Sequence, residues 1–204
     1  TAEEVSTIVT EAEHRHTYVT AHAYSPESML LAAENGVACL EHGNQVDAPA
    51  AGRLAELGTT VVPTLVTYWA FGNDAEKFGF PERNRIKNGD LFEEGRRAVG
   101  LLRDAGVEMG FGTDLLGEVQ PHQAREFAIR AELEPAVDVL RSMYVTNARL
   151  CRLEGRVGTL MPGAFGDAVL TEVDPLEDLA ALAEPDAVLD AVVQGGRLVV
   201  DRLG

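Results

Sequence analysis

Short apolar, β-prone runs alternate along this chain with longer stretches whose apolar residues recur at helical spacing. Val5, Ile8, Val9 and Ala12 fall on one face of a helix predicted over Thr1–Glu13, with Glu3 and Glu4 well placed in its first turn. Tyr18–Ala21 reads as a strand, Pro26–Glu34 as a helix closed by Asn35-Gly36, and Val37–Leu40 as the next strand. A helix from Pro49 to Leu57, stopped by Gly58, leads into the β-branched run Thr59–Val62 before Pro63. The segment Pro81–Ala105 is amphipathic and helical in spacing, with an interruption expected at Asn88-Gly89, and Val107–Phe111 makes a fourth strand. Strands and helices in this alternation specify βαβ units, an α/β fold and a parallel sheet.

The pattern then changes. After helical stretches near Gln123–Ala131 and Pro135–Leu150, the tail turns to Gly and Pro punctuation with short strands at Ala168–Leu170 and Leu198–Val200. A domain boundary is expected between Leu153 and Gly163, dividing residues 1–153 from an appendage of residues 154–204.

Three of the expected strands end in chemistry. Thr20-Ala21-His22-Ala23, Glu41-His42-Gly43 and Gly112-Thr113-Asp114 each place a metal-ligating side chain directly after a β-prone run. In a parallel barrel the carboxyl ends of the strands form one rim, and the chemistry sits there. Consecutive strands about 4.8 Å apart bring His22 and His42 side by side, close enough to share an ion, while Asp114 lies two strands further round. A carboxylate there can bind a metal and accept the proton of an attacking water. Tyr24 and Tyr68, near the same rim, read first as amphipathic rim aromatics and, as the alternative, as groups that hydrogen-bond a substrate carboxylate or polarise a scissile carbonyl. Glu41 is placed to orient an imidazole, unless strand alternation points it away. Arg125 and Arg130 are readable as an anion clamp or as a solvated helix face.

Composition narrows the partners. A formal charge of -16 and a pI near 4.6 disfavour nucleic acid and anionic lipid surfaces. No apolar window is long enough to span a bilayer, and Thr1-Ala2-Glu3-Glu4 lacks the order of a signal peptide, so a cytoplasmic location is the expectation. Two unmatched thiols, Cys39 and Cys151, suit a reducing compartment.

The ordered motifs Tyr18-Val19-Thr20-Ala21-His22-Ala23-Tyr24, Gly36 to Asn44 with its Glu41-His42-Gly43, Val62-Pro63-Thr64-Leu65-Val66-Thr67-Tyr68 and Met109-Gly110-Phe111-Gly112-Thr113-Asp114 resemble the amidohydrolase superfamily, in particular its Xaa-Pro dipeptidase and imidazolonepropionase-like branch. The resemblance continues through Gly155 to Gly163 and Gly195-Gly196-Arg197. It implies a (β/α)8 TIM barrel holding one or two divalent ions, zinc foremost, with a small β-sandwich appendage. His22 and His42 match the metal-binding histidines after the fifth and sixth strands, and Asp114 matches the metal-binding, proton-handling Asp after the eighth. The family's His-x-His on the first strand and its bridging carbamylated Lys have no match. The one His-x-His, His14-Arg15-His16, is at a helix end, and the two lysines, Lys77 and Lys87, lie before the last expected barrel helix.

The chain is therefore expected to be the carboxyl-terminal half of such a barrel, strands five to eight. The function implied is metal-dependent hydrolysis of amide or peptide bonds in dipeptides or N-acyl amino acids, once the missing amino-terminal half or a second copy of the chain completes the site. A non-catalytic half-barrel that serves as an oligomerising binding module is the alternative.

Overall fold

A computed structural model describes residues 1–74, 79 and 81–203. It divides into two compact units, Thr1–Gln120 and Pro121–Gly204.

The first unit is a βα alternation. Helix α1 (Ala2–His14) starts with a capping box, in which Thr1 Oγ1 accepts from the Glu4 amide while the Glu4 carboxylate takes the Thr1 amino group. Strand β1 (Thr20–Ala23), helix α2 (Pro26–Glu34), strand β2 (Cys39–His42), helix α3 (Ala48–Leu57) and strand β3 (Thr60–Val62) follow. Ser25 and Asp47 cap α2 and α3 through their side chains, each helix opening with Pro in its first turn. The sheet is parallel in the order β1-β2-β3. Met29 of α2, Leu40 of β2, Leu54 of α3 and Val61 of β3 are fully buried between the layers, so each element's apolar positions meet in one core.

Helix α4 (Leu65–Asn73) was not evident from the sequence, because its residues are apolar all round rather than on one stripe. Such a helix is stabilised by burial, and Leu65, Val66, Thr67, Tyr68 and Ala70 are all inside. Helix α5 (Glu82–Ala105) runs straight through Asn88-Gly89, where an interruption was expected. A mid-helix Gly costs only about 1 kcal/mol, and the packing of α5 against α3 and α4 outweighs it. Lys87 lies within α5, whereas Lys77 falls outside the described residues. The expected fourth strand is reduced to a single parallel bridge, Val61 to Met109, with hydrogen bonds from Val61 N to Glu108 O and from Gly110 N to Val61 O. That bridge still places the Gly112-Thr113-Asp114 segment beyond β3, in the order of a continuing sheet. No described helix is long and apolar enough to cross a membrane.

The second unit begins in a 3-10 turn and helix α6 (Arg125–Ala131), then α7 (Ala136–Arg141), one π turn (Ser142–Thr146) and α8 (Asn147–Leu150). A three-stranded antiparallel sheet follows, β4 (Ala168–Thr171), β5 (Leu189–Gln194) and β6 (Arg197–Asp201), with a short helix α9 (Pro185–Val188) before β5. Strand β5 was missed because acidic and apolar residues mix there without clear alternation; its centre, Ala191, is buried between its two neighbours. Arg130 is neither an anion clamp nor a solvated residue: it is fully buried on α6 and pairs with Glu134 one turn on.

Candidate active site

Strand β1 extends two residues beyond its expected end, so His22 sits within the strand, and His42 is the last residue of β2. In the parallel register His22 faces Glu41 and Ala23 faces His42. Strict alternation would therefore send the two imidazoles to opposite faces of the sheet. The backbone prevents this, because His42 has φ +78 and so leaves the extended conformation. Gly43 continues the turn at φ +67, where a Cβ would come within 3.0 Å of Met29 Cε and 3.1 Å of Val61 Cγ1. The next residues are laced to the end of β1 by Gly43 N to Ala23 O and Gln45 N to Tyr24 O.

With that turn made, the imidazoles meet. His22 Nδ1 lies 2.7 Å from His42 Nε2, and the rings stack at 4.9 Å between centroids. On its other nitrogen, His42 Nδ1 is 2.8 Å from Thr64 Oγ1. When Nδ1 donates to Thr64, Nε2 presents its lone pair toward His22. His42 is buried at 3% exposure while His22 is exposed, so the pair has one anchored and one adjustable member. The His42 pKa is lowered, first by burial and then by the neighbouring His22, against the opposing charges of Asp114 and Glu41. The neutral ring is thus the favoured form.

Thr64 is the site residue that sequence reading missed. It occupies the N-cap position of α4, where a threonine hydroxyl ordinarily accepts from the helix, yet it makes no side-chain cap bond. Its hydroxyl serves His42 instead. Glu41, considered as the orienting group, turns toward strand neighbours and accepts from Thr20 Oγ1 at 2.6 Å. Changing Thr64 to valine keeps the shape but leaves a buried imidazole nitrogen without its partner, so a stability loss of about 1–3 kcal/mol is expected. Urea denaturation reads this as a lower midpoint at unchanged slope, with Thr64→Ser close to the parent.

Two tyrosines complete the cluster. Tyr24 stacks on His42 at 4.9 Å between centroids, and Tyr68, from α4, meets both rings edge-on. Tyr68 donates its hydroxyl to Tyr24 Oη at 3.0 Å. The Tyr68 phenol is pushed well above its ordinary range by burial first, then by Tyr24, with the charge of Asp114 adding and a Thr64 hydrogen bond opposing. Tyr68 therefore stays protonated and fixes the Tyr24 oxygen, leaving the Tyr24 hydrogen to point at another acceptor.

Asp114 is exposed and adopts φ +49; it and His42 are two of the four described non-glycine residues with positive φ. Such conformations cost free energy and are held by the surrounding structure at sites where a side chain must be aimed. Its charge acts on both His42 and Tyr68. Among the described residues, no group of three or more His, Cys, Asp or Glu side chains gathers in a metal-holding arrangement. The structure brings His22 to His42 and both tyrosines to His42, and places Asp114 within electrostatic reach.

The amidohydrolase family profile matches residues 1–199. The chain belongs to the amidohydrolase family. Among solved structures, this amidohydrolase is similar to a prolidase complexed with N-methylphosphonate-L-proline, at 40% identity and TM-score 0.92, over 98% of this chain and 49% of that one. A Xaa-Pro dipeptidase with methionine bound in its active site is 29% identical at TM-score 0.83, over 97% of this chain and 48% of that one. Ochratoxinase of Aspergillus niger is 26% identical over 198 residues, 96% of this chain and 41% of its own length. The amidohydrolase chain thus spans about half the length of the relatives it matches.

Proposed function

We propose that this chain supplies strands five to eight of a (β/α)8 barrel, completed by residues outside this span or by another chain, and that the complete site hydrolyses amide or peptide bonds in small substrates such as dipeptides or N-acyl amino acids. The observation that carries the reading is the meeting of His22 Nδ1 and His42 Nε2 at 2.7 Å, with the Tyr24 ring stacked on His42 and the Asp114 charge acting on it. The names of the related prolidase, Xaa-Pro dipeptidase and ochratoxinase support hydrolytic chemistry of this kind.

The residues present fit half of a divalent-metal site. Two nitrogens on one tetrahedral zinc stand roughly 3.3 Å apart at bonds near 2.0–2.1 Å; the observed 2.7 Å is the spacing of a shared proton. Only the exposed His22 ring has to give way, since His42 is anchored by Thr64. His22, His42 and Asp114 would hold a zinc-like ion, with further ligands from beyond this span. A bound divalent ion supplies a Lewis acid and makes water acidic enough to attack near neutral pH.

The chain's own side chains do the rest. Asp114 takes the proton of the attacking water and passes it to the leaving amine. The Tyr24 hydroxyl donates to the scissile carbonyl oxygen as charge builds on it, and Tyr68 keeps that hydroxyl aimed.

Elemental analysis and hydrolysis of a dipeptide panel by the completed protein test the reading together. Stoichiometric divalent metal, loss of turnover on chelation and loss of metal in His22→Ala are expected. Unchanged metal content in His22→Ala, or an inactive protein with stoichiometric zinc, would overturn it.

A further inference from the structure

Helix α5 repeats one ion-pair motif three times, a Glu followed three residues later by an Arg: Glu82 and Arg85, Glu93 and Arg96, Glu94 and Arg97. Side chains at that spacing are neighbours on a helix. The first two sets are closed, with Arg85 bonded to Glu82 and Arg96 at 3.9 Å from Glu93. The third is open. Glu94 accepts from Gln45 Nε2 at 2.9 Å instead, and Arg97 has no ion-pair partner among the described residues. Both members of this open set line a cavity of about 310 Å³ between α5 and residues 44–48, the segment that leads into α3. We propose that the cavity binds a free α-amino acid, its carboxylate on Arg97 and its ammonium on Glu94 and Asp47.

The charges select this class. An ion pair left open toward a cavity offers a cation and an anion one helical turn apart, and a zwitterion satisfies both at once. Asp47 brings a second carboxylate from the opposite wall. Its Oδ1 accepts from the Ala50 amide at 2.9 Å, and Glu94 meets Gln45 through Oε2. Each carboxylate is therefore fixed through one oxygen and keeps the other to accept from an ammonium, which has three protons to donate. Carboxylates on both sides of Arg97 oppose phosphate and other dianions, and the net charge of -16 adds to that opposition. Val46 and Leu101 supply apolar surface for a side chain. The volume is at the small end of ligand sites, which suits one amino acid rather than a longer peptide.

Neither the histidine pair, the two tyrosines nor Asp114 lines this cavity. The proposal does not rest on the amide-hydrolase reading, although a peptide hydrolase releases molecules of this class.

The test is calorimetric titration of the completed protein with L-leucine, with 4-methylpentanoate, which lacks the ammonium, and with L-leucinol, which lacks the carboxylate. L-Leucine is expected to bind about tenfold more tightly than either. Arg97→Gln should weaken L-leucine about tenfold and change L-leucinol less than about twofold. Glu94→Gln should weaken L-leucine while changing 4-methylpentanoate less than about twofold. This crossed pattern is one that a general loss of structure does not produce. Arg97 is exposed and Glu94 half-buried on α5, and circular dichroism checks that each variant is folded. Binding of none of the three, L-leucine bound no better than its one-charge analogues, or L-leucine affinity unchanged in both variants would overturn the proposal. None of the compounds has a bond to hydrolyse. A protein that binds L-leucine through Arg97 and Glu94 yet cleaves no peptide keeps this site and loses the hydrolase reading.

Discussion

Asp114→Asn in the completed protein is expected to lower kcat by about 10²- to 10⁴-fold, the range of a lost general base. Asparagine has nearly the same shape and, like aspartate, tolerates the left-handed backbone that this residue adopts at φ +49. The fold should therefore be unchanged, and the loss should be chemical. A second effect accompanies it: the Asp114 charge raises the His42 pKa, so its removal lets burial and His22 push that pKa further down. The acidic limb of the pH–rate profile should move to lower pH for whatever activity remains. Steady-state kinetics across pH check both statements, and a variant keeping more than about a tenth of kcat removes Asp114 from the role of base.

Gly158→Ala is expected to have the largest effect on stability, a loss of about 3 kcal/mol or more from the second unit. A Cβ at Gly158 would lie 2.1 Å from the Tyr144 carbonyl oxygen, 2.9 Å from its carbon and 3.1 Å from its Cα. All three are backbone atoms within the π turn of Ser142–Thr146, so no side-chain rotation relieves the clash. Gly158 also has φ +69. Gly163→Ala separates the two causes, because Gly163 has φ +94 with open space where its Cβ would be. It should cost about 1–2 kcal/mol from backbone strain alone. Urea unfolding followed by near-ultraviolet circular dichroism distinguishes them, and equal midpoints for the two variants would show that the Tyr144 contact yields easily.

Local signals were the legible part of this chain. Helices α2 and α3 begin and end where Pro26, Pro49, Asn35-Gly36 and Gly58 indicated, to within a residue, because caps and turn residues act over a few positions. Five of the six described strands were legible in existence more than in extent, whereas β5 was missed and the strand expected at Val107–Phe111 is a single bridge. Tyr18–Ala21 was expected and Thr20–Ala23 is found, since where a parallel strand stops depends on its neighbour's length and register. The uninterrupted α5 and the buried Arg130–Glu134 pair were not legible, as each depends on packing that overrides local preference.

The candidate site divides in the same way. Residue type and order along the chain, by themselves, determined the α/β alternation and singled out His22, His42, Asp114, Tyr24 and Tyr68. Only the tertiary structure decided how they meet: the positive φ that swings His42 out of strand alternation to His22, the Thr64 hydroxyl diverted from its helix cap to His42, and the Tyr68 donation that aims Tyr24. Periodicity records which face a residue prefers, and its range is one element. A hydrogen bond between residues 22 positions apart on separate elements exists only once the core has set those elements' distance and tilt.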